Sequence, residues 1–283
     1  MLGSLKETVV TFGKTCSLTG VLSQSAQFSA QRPAVILLNS GVMHHVGTCN
    51  LSTYLARAVV NTGCLALRID FSGVGDSEER QDEMPFEESS VIEVKETMDF
   101  LSKSYGVKRF VLYGLCSGAD ASFNTALNDE RVIAIAQIDP YSYSTWRYQI
   151  NYYLPKFFSA RRWRNYILRR LGLNGATLQR EGHEIAGIAE GFFESPAYTR
   201  DFPQRSSVEQ GVKRLLARNI EILNIYAGKD IYNYKTQFFD MFNISKKEKK
   251  CTVFYFPNAS HVISEPHDQA QAVQVIMNWI KAL

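Results

Sequence analysis

The sequence lacks the features that mark membrane-spanning, secreted and nucleic-acid-binding proteins. No apolar run approaches the roughly 18 residues that a membrane span needs, and the N-terminus shows no apolar core followed by a small-residue cleavage site, so no signal peptide is expected. The formal net charge is only +3, which is too small to indicate a nucleic-acid partner. We therefore expect a cytoplasmic, globular protein with no membrane span and no nucleic-acid ligand.

Cysteine is also scarce, and its spacing excludes the common metal and redox motifs. Five cysteines are present, an odd number, and no two are close enough to form a C-x-x-C pair. They are Cys16, Cys49, Cys64, Cys116 and Cys251. This spacing favours a reducing compartment, with most of the thiols acting as small buried apolar groups. We expect no metal and no cofactor.

Short apolar runs alternate with segments of helical periodicity over most of the 283 residues. Continuous apolar strands that alternate with helices are typical of a parallel sheet covered on both faces. The predicted strands are 7–12, 17–25, 34–40, 64–70, 108–114, 131–139, 221–230 and 251–257. The pattern therefore predicts an α/β fold with a mostly parallel, eight-stranded sheet.

The alternation is interrupted between residues 141 and 205. This segment is rich in aromatic residues, and its first half carries seven basic residues and no acidic one. We interpret 141–205 as a helical cap inserted into a core made of 1–140 and 206–283. Such a cap would lie over the carboxyl ends of the strands, where open α/β sheets bind their ligands.

The stretch "YGLCSGAD" joins a predicted strand to a predicted helix and has the pattern G-x-Nuc-x-G of a nucleophile elbow. The backbone of the nucleophile is strained there, so the residues two before and two after it must be small. Centring the pattern on Cys116 gives Gly114 and Gly118 at those positions, whereas centring it on Ser117 gives Leu115. The pattern therefore favours Cys116 as nucleophile, although a buried structural cysteine is the alternative.

Partners for Cys116 are expected later in the chain, in the order nucleophile, acid, base. His261 lies in the loop after the last predicted strand and is the candidate base. Two carboxylates compete for the role of acid: Asp230, which follows "ILNIYAGK", and Asp139, which follows the preceding strand. We favour Asp230, since "Asp139–Pro140" also reads as the exit from the sheet.

A tetrahedral intermediate also needs hydrogen-bond donors for its oxyanion. The backbone N–H of Ser117 is one candidate, at the positive end of a helix. The other is the N–H of Val42, because Gly41 lets the loop after "VILLNS" turn toward the site. His44 and His45 follow in the same loop, where they either line the pocket or cap the next helix.

A glycine-rich turn, "SGVGDS", follows the fourth predicted strand. It lacks the third glycine of a dinucleotide-binding loop, and the acidic residues after it would repel a pyrophosphate. We interpret it as a structural turn that Asp70 and Ser77 hold by hydrogen bonds.

With these motifs, the chain resembles the α/β-hydrolase superfamily over nearly its full length. The resemblance rests on "NSGVMHHVG", "RIDFSGVGDS", "GLCSG", "GKD" and "NASH", and it is closest to serine-aminopeptidase-like and exosortase A system-associated hydrolases. It implies an α/β-hydrolase fold and an acyl-transfer site. Most of the superfamily has serine at the elbow. Dienelactone-hydrolase-like enzymes and some polyketide-type thioesterases resemble this chain in carrying cysteine.

These observations predict a cysteine-dependent acyl hydrolase that acts on a thioester or activated ester. The aromatic residues of the cap, Trp146 and Tyr152 among them, could form the apolar wall of a pocket for an acyl chain. The basic run could contact coenzyme A or an acyl-carrier protein. A solvated helix face and a packed core explain the same residues equally simply. Two further hypotheses are an acyltransferase with the same first step and a non-catalytic binding protein on this fold.

Overall fold

The computed structural model describes residues 5–157, 200, 202–228 and 232–283. They contain a mixed, 8-stranded sheet with the order β1-β2-β4-β3-β5-β6-β7-β8. The strands are β1 (Lys6–Phe12), β2 (Leu18–Gln24), β3 (Ala34–Leu37), β4 (Ala66–Ile69), β5 (Phe110–Leu115), β6 (Val132–Ile138), β7 (Glu221–Ala227) and β8 (Cys251–Phe256). The pairs β1–β2 and β2–β4 are antiparallel, and every other pair in the sheet is parallel.

Helices cover both faces of this sheet. They are α1 (Leu51–Val59), α2 (Phe86–Tyr105), α3 (Ser117–Asn128), α4 (Trp146–Phe157), α5 (Arg205–Ala217), α6 (Gln237–Met241) and α7 (Pro266–Ala282), with short 3₁₀ turns at Thr48–Asn50 and Val60–Thr62. Within the described part of the chain, no helix has the length and apolar character that crossing a membrane requires.

The two-residue period of the strands divides the core into two layers. In β5, Phe110 and Leu112 belong to the layer under α2, α3 and α5, while Val111 and Tyr113 belong to the layer under α1 and α7. A strand that is buried on both faces reads as a continuous apolar run. The unbroken run in β5 therefore follows directly from its central position.

The fold class predicted from the sequence is confirmed, as are all eight strands. Helix α5 was not predicted, because its segment, between the interruption and the strand predicted at 221–230, is strongly polar. Val208, Val212 and Leu215 nevertheless bury one face of α5 in the core. Gly211 permits this close packing, since a Cβ there would lie 2.6 Å from the ring of Phe123.

The predicted cap falls mostly outside the described residues, so the division into core and cap stays a prediction. Within the described part, α4 begins at Trp146, inside the predicted insertion. Tyr141 and Tyr148, from the same segment, are buried. Part of the aromatic content thus belongs to the core, as one of the two interpretations of the segment expected.

Candidate active site

Cys116 occupies the sharp turn between β5 and α3. Its backbone has a φ of 53° and a ψ of −116°, a conformation that costs a non-glycine residue roughly 1–3 kcal/mol. Hydrogen bonds on both sides hold the turn. The N–H of Cys116 donates to the carbonyl of Ile138 at 2.9 Å, and its carbonyl accepts the N–H of Asp120 at 3.1 Å.

Two glycines make this turn possible. A Cβ on Gly114 would lie 2.1 Å from the carbonyl oxygen of Gly118, and a Cβ on Gly118 would lie 2.3 Å from the carbonyl oxygen of Asn39. Neither contact can be relieved by a side-chain movement, because the opposing atoms are backbone. The obligatory small residues therefore lie two before and two after Cys116, as the sequence pattern predicted for an elbow centred on this residue.

His261 lies in the loop after β8 and links the elbow to a carboxylate. Its Nδ1 is 2.7 Å from Oδ2 of Asp139, the residue that follows β6. Hydrogen bonding and charge also couple the pKa of this imidazole to that of the Cys116 thiol, and Nε2 is the nitrogen available for the thiol because Asp139 occupies Nδ1. Oδ1 of Asp139 accepts the N–H of Ala227 at 2.7 Å. Both oxygens of Asp139 are thereby held in position.

The carboxylate that contacts His261 is that of Asp139, which the sequence analysis gave as the alternative acid. Asp230, the acid favoured by the sequence analysis, lies outside the described residues. Chain order could not separate the two, because both fall between Cys116 and His261. Strand order does not separate them either, because β6 and β7 both lie between β5 and β8; the contact of Asp139 with Nδ1 of His261 at 2.7 Å does. The carboxyl end of β6 thus reaches the space between the elbow and the loop after β8.

Charge and hydrogen bonding shift both members of the pair toward their ionised forms. The hydrogen bond to Asp139, followed by the one to Cys116, raises the pKa of His261 to about 10. Burial raises the pKa of the Cys116 thiol, and the charge of Asp120 adds to that effect. The hydrogen bond from His261 and the charge of Arg200 outweigh both, so the net pKa lies below its ordinary value. These directions favour a thiolate–imidazolium pair.

Arg200 is a neighbour of the sulfur that sequence reasoning missed. Its Nη1 lies 3.4 Å from Sγ of Cys116. Its Nε and Nη2 donate to Oδ2 and Oδ1 of Asp120 at 2.7 and 2.8 Å, and Nη2 also lies 3.3 Å from the carbonyl oxygen of Asp139. No local motif could have revealed this contact, because Arg200 and Cys116 are separated by 84 residues.

The loop after β3 lies against the start of α3. The N–H of Gly41 donates to the Ser117 hydroxyl oxygen at 2.7 Å, and Gly41 adopts a left-handed φ of 52°. Ser117 is fully buried and opens α3, and the first N–H groups of a helix have no intrahelical partner. The side chain of Val42 is exposed. The N–H groups of Val42 and Ser117 stay predicted as oxyanion donors.

His45, predicted in the same loop, is engaged by a buried carboxylate. Its Nδ1 lies 2.7 Å from Oδ2 of Asp70, and its N–H donates to Oδ1. The ligand atoms of His45, Asp70 and Asp76 lie within 4.8 Å of one another, the spacing of a possible metal site in the described part of the chain. Asp70 is, however, already engaged by the amide of Asn39 and the N–H of Asp76, so this carboxylate belongs to a structural hydrogen-bond network.

The other predicted substrate contacts lie in the loop after β3 and on α4. His44 lies beside His45, with ring centroids 5.4 Å apart. Trp146 and Tyr152 are both exposed on α4, and the ring of Tyr152 stacks on that of Tyr148. Their contact with substrate stays a prediction, as does that of His44 and His45. The turn at 72–77 is held as expected, because the Ser77 hydroxyl donates to the carbonyl of Asp70.

Comparisons with known proteins identify the fold. No protein-family model matches the chain, and the comparison with curated protein sequences finds no match. Solved structures do match. An esterase from Pyrococcus furiosus is 12% identical, with a TM-score of 0.62 over 99% of this chain and 91% of that one.

Two further solved structures match over similar lengths. A hypothetical protein from Pseudomonas aeruginosa is 15% identical, with a TM-score of 0.63 over 100% and 95% of the two chains. The mouse alpha/beta hydrolase domain-containing protein 10 is 14% identical, with a TM-score of 0.56 over 98% and 99%. Together with the sheet order, these likenesses establish the α/β-hydrolase fold.

Proposed function

We propose that this protein is a cysteine-dependent acyl hydrolase that cleaves esters or thioesters through a covalent acyl-enzyme. Cys116 is the nucleophile, His261 the general base and acid, and Asp139 the carboxylate that orients the imidazole. The observation that carries the proposal is the continuous contact from the strained Cys116 through His261 to Asp139. Asp139 replaces Asp230 in this assignment because it already occupies Nδ1.

The proposed reaction has two steps, acylation of Cys116 and hydrolysis of the acyl-enzyme. The Cys116 thiolate donates an electron pair to the acyl carbon, the carbonyl pair moves to oxygen, and the bond to the leaving group breaks when the oxyanion collapses. His261 gives its Nε2 proton to the departing alkoxide or thiolate. In the second step His261 removes a proton from water, which attacks the thioester and releases the acid and the Cys116 thiolate. Asp139 keeps the imidazole in the required tautomer throughout.

Several considerations support an ester or thioester as substrate. One structural neighbour is an esterase, although its low identity to this chain supports only the fold. A thiolate is a good nucleophile and also a good leaving group, which suits activated acyl donors. All five cysteines are free thiols, and a thiol nucleophile works only when it is reduced, so we propose that the protein acts in a reducing, cytoplasmic environment.

The test is a screen of p-nitrophenyl esters and acyl-CoA thioesters with the wild type, Cys116→Ala and Cys116→Ser. We expect turnover by the wild type, none by the alanine variant and at most slow turnover by the serine variant, because His261 is placed for a thiol. Intact-protein mass spectrometry should trap an acyl adduct on Cys116. Full activity of Cys116→Ala would refute the proposal.

The same screen separates the two other hypotheses. If amines or alcohols added to the acyl-enzyme yield more transfer product than free acid, the protein is an acyltransferase. Faster acylation by acyl-CoA than by the matched p-nitrophenyl ester would identify coenzyme A, or a carrier protein with the same phosphopantetheine arm, as the partner. Absence of any adduct with every activated ester would favour a binding protein.

A further inference from the structure

A largely shielded ion pair between Arg200 and Asp120 contacts the sulfur of Cys116. The guanidinium of Arg200 donates from Nε and Nη2 to the carboxylate of Asp120, and its Nη1 lies 3.4 Å from Sγ. The Arg200 side chain is only 17% exposed and that of Asp120 only 10%. Charges so shielded from water interact more strongly than the same charges at a surface.

The arginine is held in this orientation by more than its carboxylate. Its guanidinium lies over the rings of Phe202 and Tyr141, with centroid distances of 4.8 and 5.5 Å. The planar fork of arginine can chelate a carboxylate with two nitrogens and still present the third to another acceptor. Lysine has a single nitrogen and could not contact Asp120 and Cys116 in the same way.

Among the described residues, four charged or titratable groups act on the sulfur, directly or through a neighbour, and their balance affects its ionisation. His261, from the loop after β8, and Arg200 contact it directly and favour the thiolate. Asp120, on α3, opposes ionisation, but its charge is compensated by Arg200. Asp139, at the end of β6, acts through His261. The direct contacts are therefore both cationic.

We infer that Arg200 is a second catalytic cation, which Asp120 positions so that it stabilises the Cys116 sulfur as a thiolate. The inference rests on the proposed function for its catalytic meaning. Stabilising the thiolate increases the fraction of enzyme ready to attack in the first step. It also assists the second step, in which the sulfur departs from the tetrahedral intermediate with the electron pair of the broken carbon–sulfur bond.

The test measures Cys116 ionisation without any substrate. Iodoacetamide alkylation is followed against pH by peptide mass spectrometry, in the wild type and in Arg200→Gln. Exposed Cys49 is an internal reference in every sample. Arg214→Gln is the matched control, because Arg214 lies on α5 and its Nη2 donates to the carbonyl of Leu127. We expect Arg200→Gln to alkylate Cys116 about tenfold more slowly at pH 6, while Cys49 and the control are unaffected.

A double variant controls for unfolding and for the uncompensated charge of Asp120, either of which could slow alkylation in Arg200→Gln. Arg200→Gln alone leaves Asp120 as an unpaired buried carboxylate, which could unfold the protein or repel the thiolate by itself. Arg200→Gln/Asp120→Asn removes both charges and keeps the local net charge constant. Direct stabilisation by Arg200 still predicts slower alkylation of Cys116 at pH 6 in this variant. An alkylation profile equal to that of the wild type, in a double variant that melts cooperatively, would overturn the inference.

The alkylation result tests the role of Arg200 separately from the proposed hydrolase function. If Cys116→Ala kept full esterase activity, the proposed function would fail while the alkylation profiles would still report on Arg200. If Arg200→Gln had no effect on alkylation but Cys116→Ala was inactive, only the role of Arg200 would fail. Slower hydrolysis of a trapped acyl-enzyme in the double variant would support the role in the second step.

Discussion

The described part of the protein contains two histidine–aspartate pairs of the same geometry, and only one of them belongs to the candidate active site. His45 and Asp70 meet through Nδ1 and Oδ2 at 2.7 Å, and His261 and Asp139 meet through the same atoms at the same distance. Both aspartates follow a strand of the sheet, after β4 and β6 respectively. The contact between imidazole and carboxylate therefore does not identify the catalytic pair.

The two pairs differ in their surroundings. Asp70 is completely buried, and besides His45 it binds the side chain of Asn39 and the backbone of Asp76. Its histidine is only 15% exposed. His261 is 53% exposed, and beyond its carboxylate it contacts a thiol. The first pair closes a loop network, whereas the second presents a reactive group to the solvent-accessible edge of the sheet.

The largest expected difference between the pairs concerns turnover. His261→Ala should lower kcat/KM for the best ester or thioester by roughly 10⁴-fold, because both the thiol and the leaving group lose their proton-transfer partner. His45→Ala should retain far more activity per folded molecule. Initial rates on folded fractions of both variants check this expectation. Equal losses in the two variants would contradict the assignment of His261 as base.

The second expectation concerns the acid. Asp139→Asn should lower kcat by roughly 10²–10³-fold, since an amide no longer fixes the Nδ1–H tautomer of His261 or stabilises the imidazolium. Asp230→Asn is the matched comparison, because it makes the same chemical change at the acid favoured by the sequence. Steady-state rates of both variants decide between the two carboxylates. A larger loss in Asp230→Asn would restore that residue to the triad.

The sequence determines some of these positions locally and leaves others to the fold. The elbow is readable because G-x-C-x-G is a local pattern, although the contact that requires Gly118 comes from Asn39 in the loop after β3. His261 is readable because it follows the last strand. The choice of Asp139 depends on its contact with His261, since strand order, like chain order, leaves both β6 and β7 between β5 and β8. Arg200 depends on a contact across 84 residues, which no local spacing encodes.

The third expectation concerns stability and reverses the ranking of the two pairs. His45→Ala should reduce the free energy of unfolding by about 1–3 kcal/mol, because it leaves a fully buried carboxylate with one partner fewer. His261→Ala should cost less than His45→Ala, since the imidazole is half exposed and Asp139 keeps the N–H of Ala227 as a partner. Urea denaturation followed by circular dichroism measures both values. A larger loss in the His261 variant would mean that its pair is structural.

The smallest expected effect is a pH dependence that distinguishes the pairs chemically. A thiol alkylates in proportion to its thiolate fraction, which rises with pH, so the lowered pKa of Cys116 moves its alkylation midpoint below that of an ordinary thiol. His261→Ala removes the hydrogen bond that lowers this pKa, so the midpoint should rise and the rate at pH 6 should fall about tenfold. His45→Ala should shift the midpoint much less, because Asp70 rather than the thiol binds its ring. Peptide mass spectrometry with iodoacetamide measures all three profiles, and a Cys116 midpoint at or above that of an ordinary thiol in the wild type would show that the sulfur is not coupled to His261.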